Sequence, residues 1–180
     1  ELSRLFDQLG ELGFLKNCLV IITSDHGEEF GDHGGLLHRA TLYEELLRVP
    51  LILFGHGVLE GVTIPTFVGL VDLAPTILVS AGLPIPPLMA GHNILKRDER
   101  QAEEDVVFAQ YSDLKYSVRL GAWKLIESPR SGSVELYDLT VDPHERVDLS
   151  SSQPERVRAL RQQINEWRSS LPSLEGVVRE

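Results

Sequence analysis

Leu19-Val20-Ile21-Ile22-Thr23-Ser24-Asp25-His26-Gly27-Glu28 is the stretch that decides how this chain is read. A short unbroken aliphatic run, rich in β-branched residues, predicts a strand covered on both faces, as in α/β sheets. A carboxylate and an imidazole stand directly after it. In open α/β sheets, ligands bind outside the carboxyl ends of the strands. Asp25 offers a hard oxygen to a metal, and His26 offers nitrogen as a ligand or as a donor to a substrate oxygen. On chemistry alone the segment reads equally well as a turn, with Asp25 accepting a backbone N–H and His26 solvated.

The next residues strengthen the first reading. Gly31-Asp32-His33-Gly34 brings a second acid and imidazole, and His38-Arg39 follows. His26, His33 and His38 thus fall within thirteen residues, among glycines that let backbone approach a ligand. Glu28 and Glu29 read as solvated loop acids.

Working outward, Leu2, Leu5, Phe6, Leu9 and Leu12 recur at helical spacing, so residues 1–12 predict an amphipathic helix ending near Gly13. Residues 24–38 predict a loop. Residues 41–48 predict a short helix with a Glu44–Arg48 pair, stopped by Pro50, and residues 51–54 a second strand. Asp72 is placed to cap a helix with Pro75 in its first turn, closed by Gly82. The charged stretch 96–105 marks a boundary. Beyond it come strand-like runs at 106–111, 116–127 and 134–139, then an amphipathic helix at 154–167. The expectation is an α/β region over 1–96 and a small antiparallel α+β subdomain over 97–180. Trp123 and Trp167 are expected to anchor the subdomain core, and His56, His92 and His144 to lie at the surface. Cys18, the only cysteine, is expected to be a small buried residue.

Composition excludes several classes. The net charge is −10, with no basic stripe of the kind nucleic-acid binders carry. No apolar run approaches the roughly 20 residues a membrane-spanning helix needs. An acidic chain repels anionic substrates at long range, so an ester of sulfate or phosphate would require a metal and local cations. The chain begins at Glu1, inside a predicted helix, which leads to the expectation that residues upstream are absent.

Taken in order, the motifs resemble the sulfatases of the alkaline phosphatase superfamily. The resemblance rests on residues 19–28, on Phe30-Gly31-Asp32-His33-Gly34, Thr41-Leu42-Tyr43-Glu44-Glu45 and Arg48-Val49-Pro50-Leu51-Ile52, and on residues 71–78. Ala122-Trp123-Lys124-Leu125-Ile126, Glu135-Leu136-Tyr137-Asp138-Leu139 and Asp142-Pro143-His144-Glu145 extend it into the subdomain. It implies part of an alkaline-phosphatase-like mixed sheet flanked by helices. It further implies a sulfate ester hydrolase with Asp25 and His26 as metal ligands, calcium being the usual ion. Arg39 matches a sulfate-contacting lysine, and His38 a catalytic histidine of relatives with a His-rich loop; one sequence leaves both in play. His33 is a third substrate-contact candidate, set against a role in holding the loop by a hydrogen bond.

The resemblance also implies a formylglycine nucleophile matured from a Cys/Ser-x-Pro/Ala-x-Arg motif, and Cys18 does not stand in one. The nucleophile and the paired acids completing the metal site are therefore expected in an N-terminal half of the same protein, with this chain inactive alone. The expected substrate is a small-molecule or glycan sulfate ester, and family habit points to a periplasmic, secreted or lysosomal setting. Two alternatives stand beside this. Phosphodiester, phosphonate-ester or phosphoglycerol-transferring relatives share the Asp-His-Gly motif and use zinc or manganese. A non-catalytic interaction fragment is the other.

Overall fold

The aliphatic segment does form a strand in the computed structural model, and helices and short strands are interspersed before four strands follow in succession. From the N-terminus come α1 (Leu2–Glu11), β1 (Leu19–Thr23), β2 (Glu29–Phe30), β3 (Leu36–Leu37), α2 (Glu44–Leu47), β4 (Leu51–Gly55) and α3 (Leu73–Ser80). Next are β5 (Val106–Tyr111), β6 (Lys115–Leu120), β7 (Trp123–Ser128), β8 (Ser133–Asp138) and α4 (Pro154–Ser170). The structure describes residues 1–38, 40–58, 61–64, 66–96 and 106–171. The chain divides into two units, one of Glu1–Gly27 with Arg48–Asp105, the other of Glu28–Leu47 with Val106–Glu180. The sequence boundary near residue 97 groups residues 28–47 with the first region; the contacts group them with the second.

In the first unit β1 pairs antiparallel with β4, from Leu19 opposite Gly55 to Thr23 opposite Leu51. Gly55 has φ +106°, and a Cβ there would run into the Cys18 carbonyl, which accepts the His56 N–H at 2.9 Å. Only glycine closes the ladder this way. Phe6 of α1 meets Phe54 of β4 edge to face, centroids 4.9 Å apart. The cover expected on both faces of β1 is not supplied by the described residues. Its side chains are half-buried or exposed, Ile52 on β4 is 53% exposed, and Cys18 is half-buried rather than enclosed. Asp72 does precede α3, but its carboxylate accepts the Gly69 N–H at 3.0 Å and the His92 N–H at 2.7 Å instead of capping that helix.

In the second unit β5, β6, β7 and β8 form an antiparallel meander in that order. The run 116–127, expected as one strand, is two. Gly121 at φ +57° and Ala122 make a two-residue hairpin turn between Leu120 and Trp123. One sheet face packs Val118, Leu125 and Leu136 on Leu160 and Ile164 of α4. Each is worth roughly 1.5–3 kcal/mol of burial. Both tryptophans do support this core. Trp167 stacks on Phe108 at 4.8 Å, and Arg156 lies 3.9 Å over the Trp123 ring.

The other face holds residues 28–47. Leu42 packs with Ile126 and Tyr137. Beside them Lys124, 1% exposed, lies 3.0 Å from Glu44 Oε1 and 2.8 Å from Glu145 Oε1. Arg119 takes the other Glu44 oxygen at 2.9 Å. The expected Glu44–Arg48 pair thus gives way to two long-range ones. Glu145 sits at φ +53°, and its Oε2 accepts the Glu44 N–H at 2.6 Å. Burial pushes the Glu145 carboxyl above its ordinary pKa, against the pull of Lys124. Period-two alternation explains the division of faces, Leu125 pointing to α4 while Lys124 and Ile126 point to the loop.

Removing Lys124 would leave the buried Glu145 carboxylate without a cation and Glu44 with Arg119 alone. Lys124→Ala is expected to cost about 3–5 kcal/mol in urea unfolding at pH 7. A loss below about 1 kcal/mol would show that the ammonium is not what holds this face.

Candidate functional site

Asp25 and His26 stand in the first unit, immediately beyond β1. Asp25 Oδ1 accepts the N–H of His26 at 3.1 Å, and its Oδ2 lies 3.8 Å from His26 Nε2. The Ser24 hydroxyl donates to the His26 carbonyl at 2.7 Å. His26 Nδ1 lies 2.7 Å from the Gly27 carbonyl, an acceptor, so Nδ1 carries a proton and Nε2 is the nitrogen turned toward Asp25. The turn reading and the metal reading are therefore compatible, since the turn bond uses one carboxylate oxygen and leaves the other beside the imidazole. A cation about 2.0–2.5 Å from each atom fits such a gap. Two donors do not complete a site, and no group of three or more His, Cys, Asp or Glu able to hold a metal exists among the described residues.

The remaining candidates belong to the second unit. The expected loop 24–38 contains a small ladder, with Glu29 opposite Leu37 and Phe30 opposite Leu36. His38 follows it, exposed, its Nδ1 3.6 Å from Glu28 Oε1. Arg39 lies outside the described residues. Glu29 corrects the reading of it as a solvated acid, because it is 1% exposed and accepts the Thr41 hydroxyl at 2.5 Å. Glutamate at a β-position gives no periodic signal that distinguishes it from its half-buried neighbour Glu28.

His33 is engaged at both nitrogens. Nδ1 lies 2.6 Å from Glu45 Oε1, and Nε2 lies 3.0 Å from the Glu145 carbonyl. Both partners are acceptors, so the ring donates twice and is the imidazolium. It stacks on Tyr43 at 3.6 Å. Burial is the largest single influence on its pKa and opposes the charge, yet the bonds to Glu45 and Glu145 outweigh it and raise the pKa above 6.5. Nearby, the Tyr43 and Tyr137 hydroxyls both donate to Glu135 Oε2, at 2.8 and 2.9 Å, and burial with that carboxylate pushes both phenols far up. The Ser-x-Pro-x-Arg pattern occurs once, as Ser152-Gln153-Pro154-Glu155-Arg156. It starts α4, where the Ser152 hydroxyl donates to the Leu149 carbonyl, Pro154 opens the helix and Arg156 covers Trp123.

The native state holds the His33 proton more tightly than the unfolded chain. Its stabilisation is therefore complete below about pH 6.5 and is lost as pH rises through the folded value. The His33 ring signals in NMR are expected to titrate above 6.5, and the stability gap between wild type and His33→Phe to narrow from pH 6 to pH 9. A midpoint at or below 6.5 would contradict the doubly donating geometry.

Residues 1–83 match the Sulfatase family profile. The chain is 30% identical over 179 residues to arylsulfatase K of Rattus norvegicus, covering 91% of this chain and 32% of that protein. It thus spans about a third of the length of the curated relatives it matches. Its backbone is similar to the phosphonate monoester hydrolase SpPMH from Silicibacter pomeroyi, with TM-score 0.80, 22% identity, and coverage of 93% of this chain and 38% of that one. It is similar also to BT4656, solved in complex with D-glucosamine-2-N,6-O-disulfate, with TM-score 0.70, 25% identity, and coverage of 93% and 37%. The architecture is the alkaline-phosphatase-like one, carried here by a partial α/β unit and an antiparallel sheet with its terminal helix. The profile match over residues 1–83, the continuous likeness to arylsulfatase K and this shared fold together show the chain's resemblance to the C-terminal part of the sulfatases.

Proposed function

We propose that this chain supplies part of a metal-dependent hydrolase of sulfate esters. The observation that carries the proposal is the placement of Asp25 Oδ2 and His26 Nε2, 3.8 Å apart at the carboxyl end of β1, in a chain that resembles this family. Asp25 and His26 would hold a divalent cation, calcium in the preferred reading, which when bound supplies charge stabilisation to the ester oxygens. The hydrogen bond from His26 Nδ1 to Gly27 fixes which nitrogen faces that position. His38 and Arg39 are assigned to the sulfate oxygens, where cations offset the net charge of −10. Protonation of the leaving alcohol falls to a histidine, with His38 the candidate. His33, with both nitrogens bonded in its own unit, enters as the residue that holds the loop.

Calcium takes 6–8 oxygen ligands, so the rest of the site and the nucleophile are assigned to the remainder of the protein. The substrate class is a small-molecule or glycan sulfate ester, in line with the disulfated glucosamine bound by BT4656. No helix among the described residues is long and apolar enough to cross a membrane. Phosphonate-ester hydrolysis is the second reading. It is favoured by the likeness to SpPMH and by an imidazole ligand, which suits zinc or manganese better than calcium.

In the complete enzyme, Asp25→Ala and His26→Ala are each expected to lower kcat/KM for an aryl sulfate by about a hundredfold or more and to deplete the bound metal measured by elemental analysis. Unchanged turnover with unchanged metal content would remove the pair from the site. The isolated 180-residue chain is expected to show no sulfate ester hydrolysis.

A further inference from the structure

Glu29 is a fully enclosed carboxylate at the foot of the segment that carries His38. Its Oε1 accepts the Thr41 hydroxyl at 2.5 Å. On its other side Gly35 is buried, and a Cβ there would come within 2.7 Å of Glu29 Cδ. One side chain therefore touches both ends of the stretch 35–41. Directly opposite Glu29 in the ladder is Leu37, whose φ of +70° is costly for a residue with a Cβ and persists only where the surroundings impose it. His38 follows that kink, with its Nδ1 3.6 Å from Glu28 Oε1.

Stability alone does not account for a carboxylate here. Glu29 Oε2 is buried and accepts no hydrogen bond from the described residues. A leucine would fill the same volume without a desolvated oxygen, and buried unpaired acceptors are costly. What leucine would lack is the bond to Thr41.

We propose that Glu29 is a positioning residue, which through Thr41 and Gly35 sets the backbone of the sulfate-contacting segment around His38. The inference rests on the sulfatase reading above. Glu29 touches no substrate; it acts on the shape of the segment that does.

The test uses the complete enzyme and two pairs of variants. Thr41→Val and Glu29→Leu remove the hydrogen bond while keeping volume; Thr41→Ser and Glu29→Gln keep it. The readouts are circular dichroism, the inhibition constant for inorganic sulfate, and KM against kcat for an aryl sulfate. The first pair is expected to stay folded and to weaken sulfate inhibition about tenfold, with KM rising more than kcat falls. The second pair is expected to stay near wild type. Wild-type sulfate affinity in folded Thr41→Val and Glu29→Leu overturns the proposal. So does equal impairment in both pairs, or loss of fold in the first pair, which would make the carboxylate purely structural. Absence of sulfate inhibition in the wild-type enzyme would overturn the sulfatase reading and this inference together. A defect in Asp25→Ala without one in Thr41→Val overturns only the role of Glu29.

Discussion

A single buried ammonium organises the second unit. Lys124 is placed on the loop-facing side of β7 by strand alternation, where among the described residues the carboxylates of Glu44 and Glu145 are its ion-pair partners. Glu44 belongs to α2 and Glu145 to the turn after β8, so satisfying one charge ties two distant segments to one strand. Arg119 and the imidazolium of His33 add two positive charges against Glu44 and Glu45, leaving three cations facing three carboxylates. Apolar residues could fill this space more cheaply, but they would not specify which turn meets which strand.

The order imposed on residues 28–47 extends to the segment proposed to contact sulfate. Leu42 and Lys124 anchor the far end of the loop, His33 clamps its middle to the Glu145 carbonyl, and Glu29 holds the stretch that leads into and out of His38. A loop rich in glycine has high entropy to lose. Here it is held by buried polar bonds more than by apolar contact, which suits a segment whose exposed side chains must keep a fixed geometry. The Asp25–His26 pair is built differently. It needs only β1 and a tight turn, so its geometry is set by neighbours within three residues.

Elements with a strong period were legible from the residues. The heptad-like leucines of α1, the aliphatic run of β1 and the stripe on α4 all stand where the pattern put them. The misses share a cause. Gly121-Ala122 lies in a strand-like run, and a two-residue turn leaves almost no compositional trace. Glu29 and Lys124 carry the signature of solvated residues, and their burial depends on partners 12 positions away for Glu29 and 21 and 80 positions away for Lys124. Asp72 has the residue type of a helix cap but spends both oxygens on Gly69 and His92, a choice made by the return of the chain near Gly91.

What the amino-acid order determined by itself was local: the strand, the acid and imidazole after it, the histidine-bearing loop and the family to which such motifs belong. These rest on short-range periodicity and on chemistry within a few residues, which need no folded context. Only the tertiary structure decided that residues 28–47 join the antiparallel sheet, that His33 is spent on Glu45 and Glu145, and that Glu29 is enclosed. Each is a question of which buried charge finds which partner, and that is settled by desolvation across long sequence separations, where no local pattern speaks.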